Sequence, residues 1–359
     1  MADDGKNPFL SFGYFLFLLS RLYGAAMKLR QAFYKGNILK SEKLPCKVIS
    51  VGNLSTGGTG KTPMTIYLAE LLKRLGYKVA IVSRGYKGSA EKTGGIVCDG
   101  TNLLMDSEEA GDEPLMLASY LNVPVVVGGN RFVAGMKAVE AFAPDIILLD
   151  DAFQHLRLKR DIDLLLLDGC RPFGNSHLLP RGPLREPVSA LSRADAFILT
   201  RCEDKKSCPS QRLHSFHSPA HSPVFRTSHV PYISRIVSGK NAENANPEKY
   251  ALGTLRGRKV FAFSGIAKNE DFQRSLEHMG CEIAGFAGFP DHYRYSDAEL
   301  RDILQSAKKM NADFLVTTEK DYVRIARGIS WSPDLVVMSI KISFGEDAEA
   351  FREFLSSLL

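Results

Sequence analysis

The strongest chemical signal in the sequence is a glycine-rich stretch that ends in a lysine and a threonine. It reads VISVGNLSTGGTGKTP from Val48 to Pro63. In a phosphate-binding loop between a strand and a helix, backbone N–H groups surround the phosphates, the lysine neutralises their outer oxygens, and the next hydroxyl reaches Mg²⁺. Lys61 is the lysine and Thr62 carries the hydroxyl of this pattern. We therefore predict an ATP phosphate site made of Ser55, Thr56, Gly57, Gly58, Thr59, Gly60, Lys61 and Thr62.

This loop departs from the strict pattern G-x-x-x-x-G-K-[ST] at one position. Ser55 stands where the first glycine is expected, although Gly52 lies just upstream and Gly57 and Gly58 supply local flexibility. A glycine turn without a ligand is the alternative. The context of a strand before the loop and a helix after it favours the nucleotide site.

A pair of carboxylates follows a later apolar run. Asp150 and Asp151 come directly after the residues 146–149 in PDIILLDDAFQH. An acidic residue at a strand end holds Mg²⁺ or its waters in phosphate-loop proteins. Alone, such a pair is compatible with simple strand termination. Together with the loop upstream, it predicts that Thr62, Asp150 and Asp151 are metal ligands.

The elements that must position these groups alternate along the chain. From Lys47 onward, short β-branched runs alternate with helical stretches, which predicts an α/β fold with a doubly wound, mostly parallel sheet. Ligands of such sheets bind beyond the carboxyl ends of the strands. A stretch from Cys202 to Asn246, rich in Ser, His and Pro, indicates an irregular connector before a second, smaller α/β domain. The predicted units are residues 1–42, 43–232 and 233–359.

The N-terminal unit has the composition of a helix that lies in a membrane interface. The apolar run from Pro8 to Ser20 is shorter than the ~20 residues of a membrane span, and Arg21, Lys28 and Arg30 follow it among further apolar residues. A buried helix packed on the domain is the alternative.

The net charge of +6 fits an anionic membrane surface, a phosphorylated substrate or nucleic acid equally well. No basic-aromatic module or recognition helix indicates a nucleic-acid partner, and the scattered cysteines predict reduced thiols.

Seven short motifs together resemble those of the tetraacyldisaccharide 4'-kinases. They are SVGNLSTGGTGKTP, SRGY, GDEP, LDDAFQH, RGPLREP, FPDHY and TTEKD, in that order. The resemblance implies transfer of the γ-phosphate of ATP, with Mg²⁺, to the 4'-hydroxyl of a tetraacyl-disaccharide 1-phosphate, giving lipid IVA in the lipid A (lipopolysaccharide) biosynthesis of Gram-negative bacteria. It also implies a peripheral enzyme at the cytoplasmic face of the inner membrane. One departure is Ala152, where the family usually has glycine.

The resemblance assigns the catalytic base to the GDEP motif. Asp112 lies at a loop-to-helix junction, where a carboxylate is compatible with helix capping or with proton abstraction. The resemblance implies the second role. We hypothesise that closure of the two lobes brings His292, from FPDHY, to Asp112 as its partner.

The RGPLREP segment supplies charged groups on a loop stiffened by prolines. We predict Arg185 as a catalytic residue and Glu186 as a metal ligand. Arginines suit bidentate phosphate contacts, and either the transferred phosphate or the acceptor's 1-phosphate is compatible with the pattern. Further substrate contacts are predicted, with capping, packing or surface roles as alternatives, at Tyr86, Arg131, Gln154 and Arg181. The sequence assigns no chemistry to the TTEKD residues.

Two other function classes are compatible with a phosphate loop. A partitioning or metallochaperone-type ATPase hydrolyses ATP without an acceptor, but such proteins usually carry a lysine where this chain has Thr56. A membrane-bound scaffold would bind nucleotide only for stability. ATP turnover that depends on a lipid-sugar acceptor separates the kinase from both.

Overall fold

The computed structural model describes residues 12–202, 222–239, 241–243, 252–325 and 329–359. Within these ranges the chain forms two β-sheets, each packed with helices. We call the larger sheet with its helices the first lobe and the smaller sheet with its helices the second lobe. This arrangement confirms the predicted α/β fold with a second, smaller domain.

The first sheet is parallel except at one edge. Its strands follow the order β3-β4-β2-β5-β1-β6-β7-β8, and only the pairing of β3 with β4 is antiparallel. The strands are β1 Lys47–Asn53, β2 Val79–Ser83, β3 Gly95–Asp99, β4 Pro124–Val127, β5 Ile146–Asp150, β6 Ile162–Asp168, β7 Ala196–Thr200 and β8 Val224–Arg226.

Helices cover both faces of this sheet. They are α1 Phe12–Lys35, α2 Lys61–Arg74, α3 Ala90–Thr93, α4 Ser107–Ala110, α5 Asp112–Tyr120 and α6 Arg131–Phe142. Neighbouring residues of β1 point to opposite faces, so that Val48 packs with Ala134 of α6 and Ile49 packs in the cluster of Leu68 of α2. Because both faces are buried, the strands appear in the sequence as continuous apolar runs rather than alternating ones.

The second sheet is mixed. Its order is β10-β9-β14-β13-β11-β12, with parallel pairs from β14 to β12 and antiparallel pairs at β9. The strands are β9 Ser228–Gly239, β10 Asn241–Glu243, β11 Lys259–Ser264, β12 Glu282–Gly288, β13 Phe314–Thr318 and β14 Trp331–Ser343. The helices that follow are α7 Asn269–His278, α8 Asp297–Lys309, α9 Glu319–Tyr322 and α10 Ala348–Leu358.

The expected irregular connector is wrong for residues 224–239 and 241–243. This part of the chain forms β8 of the first sheet and then β9 of the second, with one residue, Thr227, between them. Pairing of β9 with β14 along most of its length overrides the weak strand propensity of a segment that contains Ser228, His229 and Pro231. Residues 203–221, 240 and 244–246 of the expected connector lie outside the described residues.

The C-terminal helix α10 returns to the first lobe. Phe351 and Leu355 are fully buried in the same cluster as Leu68 and Leu72 of α2. The predicted boundary between residues 232 and 233 also falls inside β9. The division of the chain at that point therefore remains a prediction. The β8–β9 passage and helix α10 both connect the two lobes.

Helix α1 has an exposed apolar stripe and a packed face. Phe15, Leu18, Leu22 and Leu29, spaced by three, four and seven residues, are all exposed. On the packed face, Gly24 lies so close to Leu178 that a Cβ there would stand 2.6 Å from its Cδ1. No helix in the described part of the chain is both long enough and apolar enough to cross a bilayer. Residues 8–11 of the predicted apolar run lie outside that part.

The cysteine expectation holds at four positions and fails at one. Cys46, Cys98, Cys170 and Cys281 are free thiols. Cys202 is disulfide-bonded, so the expectation of reduced thiols is wrong for this residue.

Candidate active site

The glycine-rich loop joins β1 to α2, as the sequence predicts. Gly60 precedes the first residue of α2 with a φ of 86°, and a Cβ there would stand 2.7 Å from His229 Nε2. Only glycine combines this left-handed backbone with so close a neighbour. No side chain caps α2, so its first N–H groups are available to a phosphate. Within the loop, the Asn53 amide donates to Thr59 Oγ1 over 2.9 Å.

Two cations hold Asp151 beside this loop. Arg185 Nη1 lies 3.0 Å from each carboxylate oxygen of Asp151, and Lys61 Nζ lies 3.6 Å from Oδ2. Burial raises the pKa of Asp151, but the charges of Lys61 and Arg185 outweigh it and lower that pKa below its ordinary value. The structure thus brings together three residues that the sequence predicts for the site.

Asp150 has an unpaired oxygen in a buried place. The Thr65 hydroxyl donates to Asp150 Oδ1 over 3.0 Å, whereas Oδ2 has no partner. Burial, with the nearby charges of Glu113 and Asp151, raises the pKa of Asp150 to about 7. A buried carboxylate oxygen without a donor fits a divalent cation, and Mg²⁺ commonly binds through one or two carboxylates, phosphates and waters. Thr62 is buried in the first turn of α2 and is the second predicted ligand in this region.

Glu186 is not brought together with these ligands. Its buried carboxylate accepts from Arg193 Nη2 over 2.6 Å and from Gln31 Nε2 of α1 over 3.2 Å. Among the described residues no group of three His, Cys, Asp or Glu side chains is arranged to hold a metal ion. The charge of Glu186 is balanced by the Arg193 guanidinium instead. In this structure Glu186 connects α1 to the RGPLREP loop.

Asp112 and His292 meet across the two lobes. Asp112 is the first residue of α5, and His292 lies in the loop after β12. His292 Nδ1 and Asp112 Oδ2 are 2.9 Å apart. The N-cap of α5 is Gly111, so Asp112 is not the cap of this helix. Gly111 has a φ of 84°, and a Cβ there would stand 2.7 Å from Tyr86 O, which fixes where α5 begins.

A third residue at this contact was missed by sequence reasoning. Arg324 Nε donates to Asp112 Oδ2 over 2.8 Å, and the Arg324 side chain is only 2% exposed. Next to it, Lys320 Nζ lies 3.3 Å from Glu113 Oε1. The only sequence signal is that Arg324 follows Asp321 of TTEKD by three residues, a spacing that permits an ion pair. Burial raises the pKa of Asp112, but the His292 hydrogen bond and the Arg324 charge outweigh it and lower that pKa.

A cleft between the lobes opens onto Asp112. Besides Asp112, His292 and Arg324, it is lined by Tyr86, Lys87 and Arg294. The half-exposed ring of Tyr86 lies edge-on to the His292 ring, with centroids 6.4 Å apart. The cleft therefore places two basic side chains, Lys87 and Arg294, near the Asp112 carboxylate and the other charged groups of the site.

The other predicted substrate residues lie apart from this cleft. Arg131 is buried and donates from Nη1 to Gly128 O over 2.8 Å, while its Nε has no partner. Burial and the charge of Arg84 lower the pKa of Arg131 to about 10. Gln154 donates to Asn53 O over 2.8 Å, beside the phosphate loop. The Arg181 guanidinium stacks over the Phe17 ring of α1 at 5.0 Å.

The chain is similar to one family of known proteins over nearly its whole length. The family profile described as Tetraacyldisaccharide-1-P 4'-kinase matches residues 12–359. The Tetraacyldisaccharide 4'-kinase of Desulfatibacillum aliphaticivorans is 42% identical over 349 residues, which cover 97% of this chain and 93% of that protein. The protein of the same name from Syntrophus aciditrophicus (strain SB) is 43% identical over 324 residues, covering 88% of this chain and 85% of the relative.

A solved structure agrees with these relatives. The crystal structure of "apo" form LpxK from Aquifex aeolicus in complex with ATP superimposes with a TM-score of 0.75 and 32% sequence identity, covering 97% of this chain and 99% of that one. Profile, relatives and structure all extend over both lobes and the site between them. This chain belongs to the Tetraacyldisaccharide-1-P 4'-kinase family.

Proposed function

We propose that Asp112, supported by His292, is the base of the reaction and that the phosphate loop holds ATP with its γ-phosphate toward the interlobe cleft. As a member of its family, the chain is an ATP-dependent kinase of lipid A biosynthesis that phosphorylates a tetraacyldisaccharide lipid. The single observation that supports the proposed base is the 2.9 Å contact between Asp112 and His292 across the two lobes. The acceptor is the 4'-hydroxyl of a tetraacyl-disaccharide 1-phosphate, and the product is lipid IVA.

The residues around the phosphate loop have separate tasks in this proposal. The free N–H groups of the loop and of α2 bind the phosphates, and Lys61 neutralises the oxygens of the transferred group. Arg185, held beside Lys61 by Asp151, adds positive charge where negative charge develops. Thr62 and Asp150 would hold Mg²⁺, directly or through water. When bound, Mg²⁺ supplies neutralisation of the phosphate oxygens.

The base then needs only to accept one proton. Asp112 takes the proton of the 4'-hydroxyl as the new O–P bond forms and the bond to the leaving ADP breaks. Two-lobe assembly of this base makes the reaction depend on lobe closure, which keeps water from the transferred phosphate. Positioned general bases contribute about 10²–10⁴-fold to rate.

The test is transfer of labelled γ-phosphate from ATP to tetraacyl-disaccharide 1-phosphate in detergent micelles with Mg²⁺. Wild type should give labelled bis-phosphorylated lipid, and Asp112→Ala should reduce kcat about 10²-fold or more while it still binds ATP. Acceptor-independent release of labelled phosphate at the same rate would instead support the ATPase alternative. Wild-type kcat in Asp112→Ala would overturn the base assignment.

We also propose that α1 anchors the enzyme at the cytoplasmic face of the inner membrane. The exposed stripe of Phe15, Leu18, Leu22 and Leu29 supports this, since an unpartnered apolar face beside basic residues favours an interface. Helix α1 also contacts the site directly, because the Tyr23 hydroxyl donates to Arg185 O over 2.7 Å. An acylated acceptor would therefore reach the site along the surface on which α1 lies.

Flotation with vesicles of zwitterionic and anionic phospholipid tests the anchor. The double variant Phe15→Glu and Leu22→Glu should lose vesicle binding, whereas Met310→Glu, at another exposed apolar position, in the second lobe, should keep it. Retained binding by the double variant would show that another surface holds the membrane.

A further inference from the structure

The TTEKD segment has buried acidic groups for which the reaction described above gives no role. Asp321 is fully buried at the start of α9, after β13. Its Oδ1 accepts from the Gly265 N–H and from the Tyr295 hydroxyl, each over 2.9 Å. Asp321 thereby fixes the loop after β11, and it lies beside Arg324 at 3.4 Å.

Arg324 belongs to the second lobe, is held there by hydrogen bonds, and contacts Asp112 of the first lobe. Its Nη1 donates to Gly265 O over 3.1 Å and faces Asp321 Oδ1, while Nε donates to Asp112 Oδ2 over 2.8 Å. Its Nη2 lies 3.2 Å from His292 Nδ1. A guanidinium has donors only, in a rigid planar fork, and His292 Nδ1 cannot accept from it while donating to Asp112. The bonds from Arg324 to Gly265 O and to Asp112 Oδ2 therefore fix its orientation.

One oxygen of Asp112 carries both contacts from the second lobe. Arg324 Nε and His292 Nδ1 both approach Oδ2, at 2.8 and 2.9 Å, and neither uses Oδ1. Asp112 also lines the cleft with Tyr86 and Lys87. The carboxylate is therefore held by one oxygen, and the other is available to an acceptor hydroxyl.

We propose that Arg324 is a positioning residue for phosphoryl transfer, which holds Asp112 by Oδ2 so that Oδ1 receives the proton of the acceptor hydroxyl. This inference rests on the proposed role of Asp112 as the base. Arg324 does not touch the reacting atoms. It acts through Asp112, and its own anchor is the Asp321 network, which gives the TTEKD segment a role in the reaction.

The charge of Arg324 also sets the protonation of the base. Other titratable or charged groups face Asp112 as well, namely His292 with Asp291 at 4.0 Å from its Nε2, the pair Lys320–Glu113, and the cleft residues Lys87 and Arg294. Compared with the side chains of Lys87, Arg294 and Lys320, Arg324 is the one that contacts the Asp112 carboxylate directly, and it is buried. Because Arg324 lowers the pKa of Asp112, its removal should raise that pKa, and more of the base should then be protonated in mildly acidic buffer.

The test is the pH profile of kcat for lipid phosphorylation by Arg324→Met, Arg324→Lys and Arg274→Met in the full chain. Arg274 is the matched control, since it also pairs with an aspartate three residues earlier, but at the surface. We expect Arg324→Met to lose about 10–100-fold in kcat with an unchanged KM for ATP, because misplaced catalytic groups cost rates of this order. Its acidic limb should move to higher pH, whereas Arg274→Met should match wild type.

Arg324→Lys keeps the positive charge but loses the planar guanidinium. The acidic limb of its pH profile should stay near that of wild type while kcat falls. This variant tests the proposal if Arg324→Met does not fold. A wild-type kcat in Arg324→Met would overturn the proposal. If Arg324→Met does not fold, a wild-type kcat in Arg324→Lys would overturn it instead. So would a folded Arg324→Met enzyme with lower kcat and an unmoved acidic limb, since a merely structural role lowers the active fraction without moving the profile. Asp112→Asn, measured in parallel, separates the two proposals, because its full activity would refute the base itself.

Discussion

Gly111 shows how a single residue sets the geometry of the site. Its left-handed φ and its closeness to Tyr86 O allow α5 to begin at Asp112 with the carboxylate aimed at the second lobe. Asp151 and His292 also have left-handed backbone, with φ of 50° and 64°, which is uncommon for residues with a side chain. Such backbone costs of order 1–3 kcal/mol and clusters at functional sites.

At this scale, Gly111→Ala should lower kcat about 10–100-fold, because the added methyl group displaces Asp112. Gly76→Ala is the control, since Gly76 has a similar φ of 92° with nothing within 4 Å of its Cβ position. Both variants should lose about 1 kcal/mol or more in urea unfolding, from backbone strain. Equal kcat for the two variants would show that strain alone, and not the Tyr86 contact, matters at Gly111.

His229 should make the stability of the protein depend on pH. Burial and the charge of Arg201 lower the pKa of His229 to about 4. Between its unfolded pKa near 6.5 and this value, the unfolded state binds a proton that the folded state does not, so stability falls as pH falls. Relative to His229→Phe, wild type should lose about 2 kcal/mol between pH 7.5 and pH 5. Urea unfolding of both proteins at the two pH values measures this. An equal change in the free energy of unfolding for wild type and His229→Phe would contradict it.

Helix α10 is the element whose position the sequence least revealed. Phe351 and Leu355 are buried on the first lobe, although the chain reaches them only after the whole of the second lobe. Phe351→Ala should destabilise the protein by about 3–5 kcal/mol. Leu358→Ala, at a half-exposed position of the same helix, should cost less than 1.5 kcal/mol. Thermal unfolding with and without ATP measures both, and equal losses would mean that α10 does not complete the first lobe.

The strands and the phosphate loop were predictable because local patterns encode them. β1 and β5 are buried apolar runs ending in polar residues, and glycines followed by Lys61 leave few alternatives. β9 was not predictable, because its pairing with β14 joins residues about a hundred positions apart. Likewise, Arg324 carries no local pattern, and the Arg193 partner of Glu186 becomes visible only after folding.

For the whole molecule, the second lobe supplies the two contacts that hold Asp112, the proposed base, in the first lobe. The two lobes are linked by the passage from β8 to β9 and by the return of the chain from β14 to α10. Charge pairs across the cleft join Arg294 to Glu108 over 2.7 Å and Lys320 to Glu113 over 3.3 Å. The first pair is exposed and contributes little to stability. The buried contacts at Asp112 are therefore the ones that complete the site in the proposed mechanism.

The most direct test of this account is a double-mutant cycle of Asp112→Asn and His292→Ala, with kcat for lipid phosphorylation at saturating ATP and acceptor as the readout. Groups that act as one unit show strongly non-additive losses. The account predicts that each single variant loses activity and that the double variant is no slower than Asp112→Asn alone. Losses that multiply in the double variant, or wild-type kcat in either single variant, would contradict a base assembled from the two lobes.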